Sequence, residues 1–482
     1  MQKLLWVSVA LLFAPARAQI TAPADAAFEG VWLGRVTAPN ASTEIGFAFT
    51  RGAKGGLGAK IAMPAMFIAG MNLGPANIAG ETYLMPDLGI KLTRSGDTLT
   101  GTFANPLLRV ELHRGGELPP ALVMPPAPAG PAPVWSRSLG ARVWASPVAR
   151  DGVIYVGSAD GKLHAVRAAD GDAVWTWSGA NPLYGEALVT DDGVCFLDEQ
   201  CDCVCLSRAD GRLRWRVAPH GEKTTVPAAS KNPTFNHRTA VPVVDAGTLY
   251  VGSIDGGIYA LEVKSGRILW RHEAGAAIYA AVALDGEYLV AGCYDGTVLV
   301  LDRRTRKETA RVKLGGPVAS APVVAGDTVL VGCRDYLLYG LKRADLTTAW
   351  RDSFWFSWIE SVPRVVDGVA YIGGSDFRRI SAISPATGVS RWVTDVGGIT
   401  WGTPVVTADT IFAGTSAQVP AAITHEGGIT ALDRRTGAVK WRHVAPLAAD
   451  TDRAGYLGSL VLAGGNIIGA GYDGTLVAFP AK

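Results

Sequence analysis

The chain has 482 residues, 48% hydrophobic and 18% charged, which supplies a sizeable core and excludes general disorder. Its 58 glycines follow no triplet period, so collagen is excluded, and the short apolar runs between them read as many short strands joined by tight turns. The net charge is +2, and setting aside Lys3 and Arg17 of the first 18 residues leaves 43 basic against 43 acidic side chains, so nothing electrostatic favours nucleic acid or an anionic membrane surface.

Residues 1–18 read as a secretory signal. Lys3 precedes an apolar run from Leu4 to Phe13, then Ala16-Arg17-Ala18, with cleavage expected before Gln19. Ten apolar residues are too few to span a bilayer, so no membrane span is expected and the product is placed in the periplasm or outside the cell. No cysteine lies near the cleavage position, so no lipid anchor is expected.

Residues 26–115 contain alternating apolar runs such as GVWLGRV and TEIGFAFTR, divided by Gly, Asn and Asp clusters. They predict a small all-β domain, a barrel or a sandwich. Residues 116–133 hold seven prolines between Pro119 and Pro133 and read as an extended linker.

Residues 134–482 repeat. Trp135, Trp175, Trp215, Trp270, Ala310, Trp350, Trp392 and Trp441 are spaced by 40, 40, 55, 40, 40, 42 and 49 residues. A unit of 40 with four strands is a β-propeller blade. Ten residues before each Trp stands a small residue (Ala165, Cys205, Ala260, Gly340, Ala382, Ala431), which leaves room for the ring. Four before it, Gly171, Gly211, Gly266, Gly388 and Gly437 permit a turn. Blade four has Arg306 and Ala310 there, so its interface is expected to be the loosest. The last unit stops after its third strand, just past Ala478, so the strand at Trp135 is expected to complete it and close eight blades without a free edge. The predicted fold is all-β, an eight-bladed β-propeller preceded by the small barrel or sandwich.

The run A-x5-G-x3-W after Y-V-G-x-x-D-G resembles the repeat shared by pyrroloquinoline-quinone (PQQ) alcohol dehydrogenases and by the bacterial outer-membrane assembly propeller BamB. The dehydrogenases imply PQQ with calcium, Glu, Asn and Asp ligands, long inter-blade insertions and often adjacent cysteines. Here the blades are bare and no two cysteines adjoin. The Asp-Gly pairs at 160–161, 255–256, 295–296 and 473–474 recur at one repeat position and read as hairpin turns, not calcium loops. BamB implies a bare propeller that binds protein in the periplasm, although it has no N-terminal barrel.

The loops entering the innermost strands, near Pro147, Leu188, Pro242, Val282, Pro322, Pro363, Pro404 and Leu460, face the axis. They carry the candidate ligand-binding residues Arg142, Trp144, Glu186, His237, Arg238, Tyr279, Trp358, Glu360, Trp401 and Tyr456. Aromatic rings mixed with charges suit a sugar, a cofactor ring or a peptide side chain; large residues plugging the channel are the plain alternative. Glu360 is read as a seat for a cation and Arg238 for an anion, with Trp401 and Arg238 at the rim. Aligned on blade one, Cys195 falls at Ile154 and Cys205 at Ala165, facing across a hairpin, which predicts a disulfide. No catalytic or metal-binding residue is assigned. The expected function is a non-catalytic exported scaffold for an envelope protein or small ligand, including a carbohydrate, with no cofactor. The alternatives are a PQQ- and calcium-dependent oxidoreductase and a carbohydrate-active enzyme such as a polysaccharide lyase using His237 and Arg238.

Overall fold

The computed structural model describes residues 25–38, 41–52, 55–64, 68–86, 89–103, 105–120, 126–219, 240–354, 357–418, 425–447 and 453–481. The signal segment therefore lies outside the described residues, as do His237 and Arg238. The chain forms two compact units, residues 1–125 with 418–425, and 126–417 with 426–482. Among the described residues no helix is long and apolar enough to cross a membrane.

The first unit is a nine-stranded antiparallel meander: β1 (Gly30–Ala38), β2 (Ala41–Arg51), β3 (Leu57–Met63), β4 (Ile68–Pro75), β5 (Asn77–Ala79), β6 (Thr82–Met85), β7 (Ile90–Ser95), β8 (Thr98–Phe103) and β9 (Asn105–Arg114). The order β4-β3-β2-β1-β9-β8-β7-β6-β5 puts β2 and β6 five places apart. Yet the Phe49 and Tyr83 rings on those two strands meet edge to face at 5.0 Å. Only a sheet curled into a nearly closed barrel allows that. Phe28, Trp32, Phe47, Phe49, Tyr83 and Phe103 fill its interior and are fully buried.

The second unit is the eight-bladed propeller. Blade one pairs Val148–Arg150, Val153–Gly157, Lys162–Arg167 and Ala173–Ser178 in order, and blades two to six repeat the pattern. Blade seven adds a fifth short strand, Arg453–Gly455, beside Thr410–Gln418. Blade eight takes its outer strand from Trp135–Ser138, which pairs antiparallel with Thr475–Pro480, Trp135 opposite Ala478. The ring is therefore closed by the other end of the chain. Within the proline-rich stretch, Gly130 donates to the Arg442 carbonyl at 2.8 Å and Arg442 to that of Pro128 at 2.9 Å, so residues 128–130 border blade seven.

The small residues stand directly opposite the tryptophans, Ala165 against Trp175, Cys205 against Trp215 and Gly340 against Trp350. The indoles then reach the next blade. Trp135, Trp175, Trp215, Trp350 and Trp392 donate to the carbonyls of Ala168, Arg208, Val263, Pro385 and Arg434 at 2.9–3.2 Å. The glycine of that next blade has two reasons to be glycine. Gly171, for instance, has φ +79°, and a Cβ there would meet the Trp135 ring at 2.7 Å. Trp441 lies against Gly130, where a Cβ would meet its ring at 2.8 Å.

Candidate functional site

The residues just before each innermost strand converge on the axis. They enclose a cavity of about 140 Å³ to which all eight blades contribute: Trp144 and Ser146, then Tyr184–Glu186, Val241, Tyr279–Ala281, Ala319–Ala321, Glu360 and Val362, Trp401–Thr403, and Leu457–Ser459. The convergence follows from short connections between blades whose first strands lie inward. The loops are also fixed from behind. In five blades the residue before the hairpin aspartate donates its N–H to the carbonyl seventeen positions upstream, as Ala159 does to Arg142, Tyr294 to Ala277 and Arg334 to Pro317. Hydroxyls link neighbouring blades: Ser361 donates to the Gly402 carbonyl at 2.9 Å, Thr403 N–H to Ser459 Oγ at 2.9 Å, and Ser459 N–H to Ser146 Oγ at 2.9 Å. The Asp-Gly pairs are turns. Gly161, Gly256, Gly296 and Gly474 all have φ near +80° to +94°, and Asp255, Asp295 and Asp473 each accept the N–H two residues on at 2.9 Å.

Five of the ten candidate residues line this cavity: Trp144, Glu186, Tyr279, Glu360 and Trp401. Glu360 is not free to hold an incoming cation. Its side chain is 1% exposed and accepts two bonds from Arg334, at 2.5 and 2.6 Å. Trp358 does not line the cavity; it stacks over the Arg334 guanidinium, 4.5 Å from its ring centre. Trp401 is no rim residue, being 8% exposed in a cluster with Ile399, Leu457 and Tyr472, with Trp144 packed against it. Tyr456 belongs to the core between blades seven and eight, among Phe412, Leu460 and Ile467, because the nearby Gly469 leaves space for its ring. Arg142 is exposed and reaches the Tyr472 hydroxyl at 3.4 Å. Glu186 carries the electrostatic interest: desolvation pushes its pKa up to about 7.

Arg334 and Tyr294 are neighbours of the lining that the loop-based reading missed. Arg334 binds Glu360 and, at 2.8 Å, the Tyr294 hydroxyl, while Tyr294 packs on Tyr279 at 4.9 Å. The signal was in the repeat: both precede the hairpin aspartate in GCYDG and GCRDY, where blades one and three have alanine and isoleucine.

Cys195 and Cys205 are joined in a disulfide, their Cα atoms 4.1 Å apart, in register across the second and third strands of blade two. The alignment that led there was one residue off. Cys195 occupies the place of Tyr155, not Ile154, since Tyr155 is the residue opposite Ala165. Cys201, Cys203, Cys293 and Cys333 are free and buried.

A family model described as "Outer membrane protein assembly factor BamB" matches residues 128–306, 255–357 and 294–482, the whole propeller. Among curated proteins, the Outer membrane protein assembly factor BamB of Yersinia pestis is 26% identical over 154 residues, covering 30% of this chain and 36% of that protein. The chain thus spans little more than a third of the curated relatives it matches. Among solved structures, BamB from Moraxella catarrhalis covers 69% of this chain and 92% of its own at 19% identity and TM-score 0.50. The quinohemoprotein alcohol dehydrogenase of Comamonas testosteroni covers 72% and 76% at 14% identity and TM-score 0.56. At these identities the structures bear on the fold alone. The sequence match over the full ring does more: the chain belongs to the PQQ-like repeat family described as "Outer membrane protein assembly factor BamB".

Proposed function

We propose that this protein is an exported, non-catalytic propeller that binds an envelope protein, in the manner its relatives' names imply for outer-membrane protein assembly. The observation that carries this reading is the narrowness of the axis. A cavity of about 140 Å³ is below the roughly 300–1,000 Å³ usual for small-molecule and cofactor sites.

The described residues fit PQQ with calcium poorly. Besides the small volume, the buried carboxylate Glu360 is already neutralised by Arg334, and among the described residues no group of three His, Cys, Asp or Glu gathers to hold a metal. Calcium takes six to eight oxygens. No step is therefore derived through that cofactor. Export rests on the signal-like residues 1–18 and on the envelope location implied by the relatives' names.

Two measurements test the proposal. Crosslinking in intact cells, followed by reconstitution from purified components, is expected to yield a stoichiometric complex with an envelope protein. Incubation with PQQ and calcium is expected to produce no dye-linked oxidation of alcohols or sugars. Oxidation above the untreated control would overturn the reading.

A further inference from the structure

The axial cavity is small, yet its chemistry is one-sided. Of its lining residues the charged ones are Glu186 and Glu360, both acidic. Arg334 compensates one of them. The Glu186 carboxylate makes no hydrogen bond or ion pair among the described residues and lies where blade two meets the axis. The lining thus keeps one net negative charge that the described residues leave uncompensated.

The walls around that charge are aromatic. Trp144 and Tyr184 meet edge to face at 5.9 Å, Tyr279 is held by Tyr294, and Trp401 closes the side of blade seven. Aromatic faces carry negative quadrupole potential and attract cations, more strongly once water is excluded. The hydroxyls of Ser146 and Ser459 each accept an N–H in the links between blades and supply no counter-charge. Nor does one carboxylate supply the oxygen shell that calcium needs.

We propose that the axial cavity is a cage for an alkylammonium group, with Glu186 as counter-ion and Trp144, Tyr184, Tyr279 and Trp401 as walls. This deepens the binding role proposed above for the same propeller. An ammonium head with a short alkyl stem matches the volume, the single negative charge and the aromatic lining together. A lysine side chain projecting from a partner protein and a free small amine present this same chemistry. Glu186 costs the protein desolvation while the cavity is empty, and a bound cation offsets that cost.

The test titrates the purified full chain at about pH 8.5, where a carboxyl of pKa about 7 is ionised. The probes are tetramethylammonium, n-butylammonium and a short lysyl peptide, each compared with sodium chloride at equal ionic strength and followed by tryptophan fluorescence and calorimetry. Saturable binding of at least one probe is expected. Glu186→Gln, close in shape and without the charge, should weaken it about thirtyfold or more, as loss of one partner of a desolvated charge pair does. Glu186→Asp, which keeps the charge, should retain part of it, so a folding defect in one variant does not decide the matter. Binding of the lysyl peptide but not its acetyl-lysyl counterpart assigns the site to a protein partner; binding of only the free amines assigns it to a small molecule. Absence of saturable binding by every probe, or equal binding by Glu186→Gln, overturns the cage. Neither result touches an envelope complex formed elsewhere on the propeller, which crosslinking reads independently.

Discussion

Arg334 holds Glu360 in a buried ion pair, with side chains 9% and 1% exposed and donor–acceptor distances of 2.5 and 2.6 Å. The pair joins blades five and six beside the axis, with Trp358 over the guanidinium and the Tyr294 hydroxyl beside it. Removing one partner strands a buried charge. Arg334→Met is therefore expected to cost about 3–5 kcal/mol in urea unfolding, and adding Glu360→Leu to recover much of that loss. A loss in the double variant equal to the sum of the two single-variant losses would show that the pair is not coupled.

Closure depends on one tryptophan and one strand. Trp135→Ala removes the indole that bonds the Ala168 carbonyl and covers Gly171, and is expected to cost about 3 kcal/mol. A chain beginning at Pro126 keeps the strand Trp135–Ser138, whereas one beginning at Gly140 exposes the edge of Thr475–Pro480. The shorter chain should aggregate or melt well below the longer one in calorimetry. Identical melting temperatures would refute the closure.

Blades four and five contain a compensated exception. Ala310 replaces the tryptophan of blade four, and Leu346, fully buried at φ +59°, stands in blade five where blades one, two, three, six and seven have glycine. The absent indole leaves the room that the leucine requires. Ala310→Trp alone should overpack this interface and cost about 1–3 kcal/mol, while Ala310→Trp with Leu346→Gly should restore stability. Additive losses in the double variant would refute the compensation.

The disulfide is open to direct chemical test. Alkylation of the folded protein without reductant should leave Cys195 and Cys205 unlabelled, and non-reducing peptide mapping should link them. Replacing both by alanine should lower stability by about 2–4 kcal/mol. Finding both thiols alkylatable after unfolding without reductant would end this assignment.

Glu186 should leave a signature in the pH dependence of stability. Its folded pKa, about 7, lies above the ordinary glutamate value of 4.5, so the folded state binds its proton more tightly than the unfolded state. The favourable contribution is then present at low pH and is lost as pH rises from about 4.5 through 7, on the order of 2 kcal/mol for a partly exposed group. The tyrosines that share the lining, Tyr184 (pushed up to about 12) and Tyr279 (raised), stay neutral through that window. Denaturant midpoints of the native protein and Glu186→Gln should therefore diverge across it; parallel curves would remove Glu186 from the account.

The propeller was legible in the sequence because its cause is local and repeated. Seven of the eight blades carry a tryptophan with a small residue directly opposite at a fixed offset, and Val134-Trp135 standing alone before a last unit without its tryptophan implied closure by the far end. The convergence of loops on the axis followed from the same period, which is why Trp144, Glu186, Tyr279, Glu360 and Trp401 were named together. Spacing could not reveal which charges are already used. Glu360 looked as available as Glu186, but Arg334 comes from a hairpin of the neighbouring blade, and that pairing exists only once blades five and six are packed. Likewise Tyr456 and Trp401 share the loop positions of the lining, yet one is drawn into the core and the other buried by the glycines and rings of adjacent blades. A repeat dictates where a side chain starts, whereas its burial and partners are set by the next blade, whose residues lie some forty positions away or at the other end of the chain.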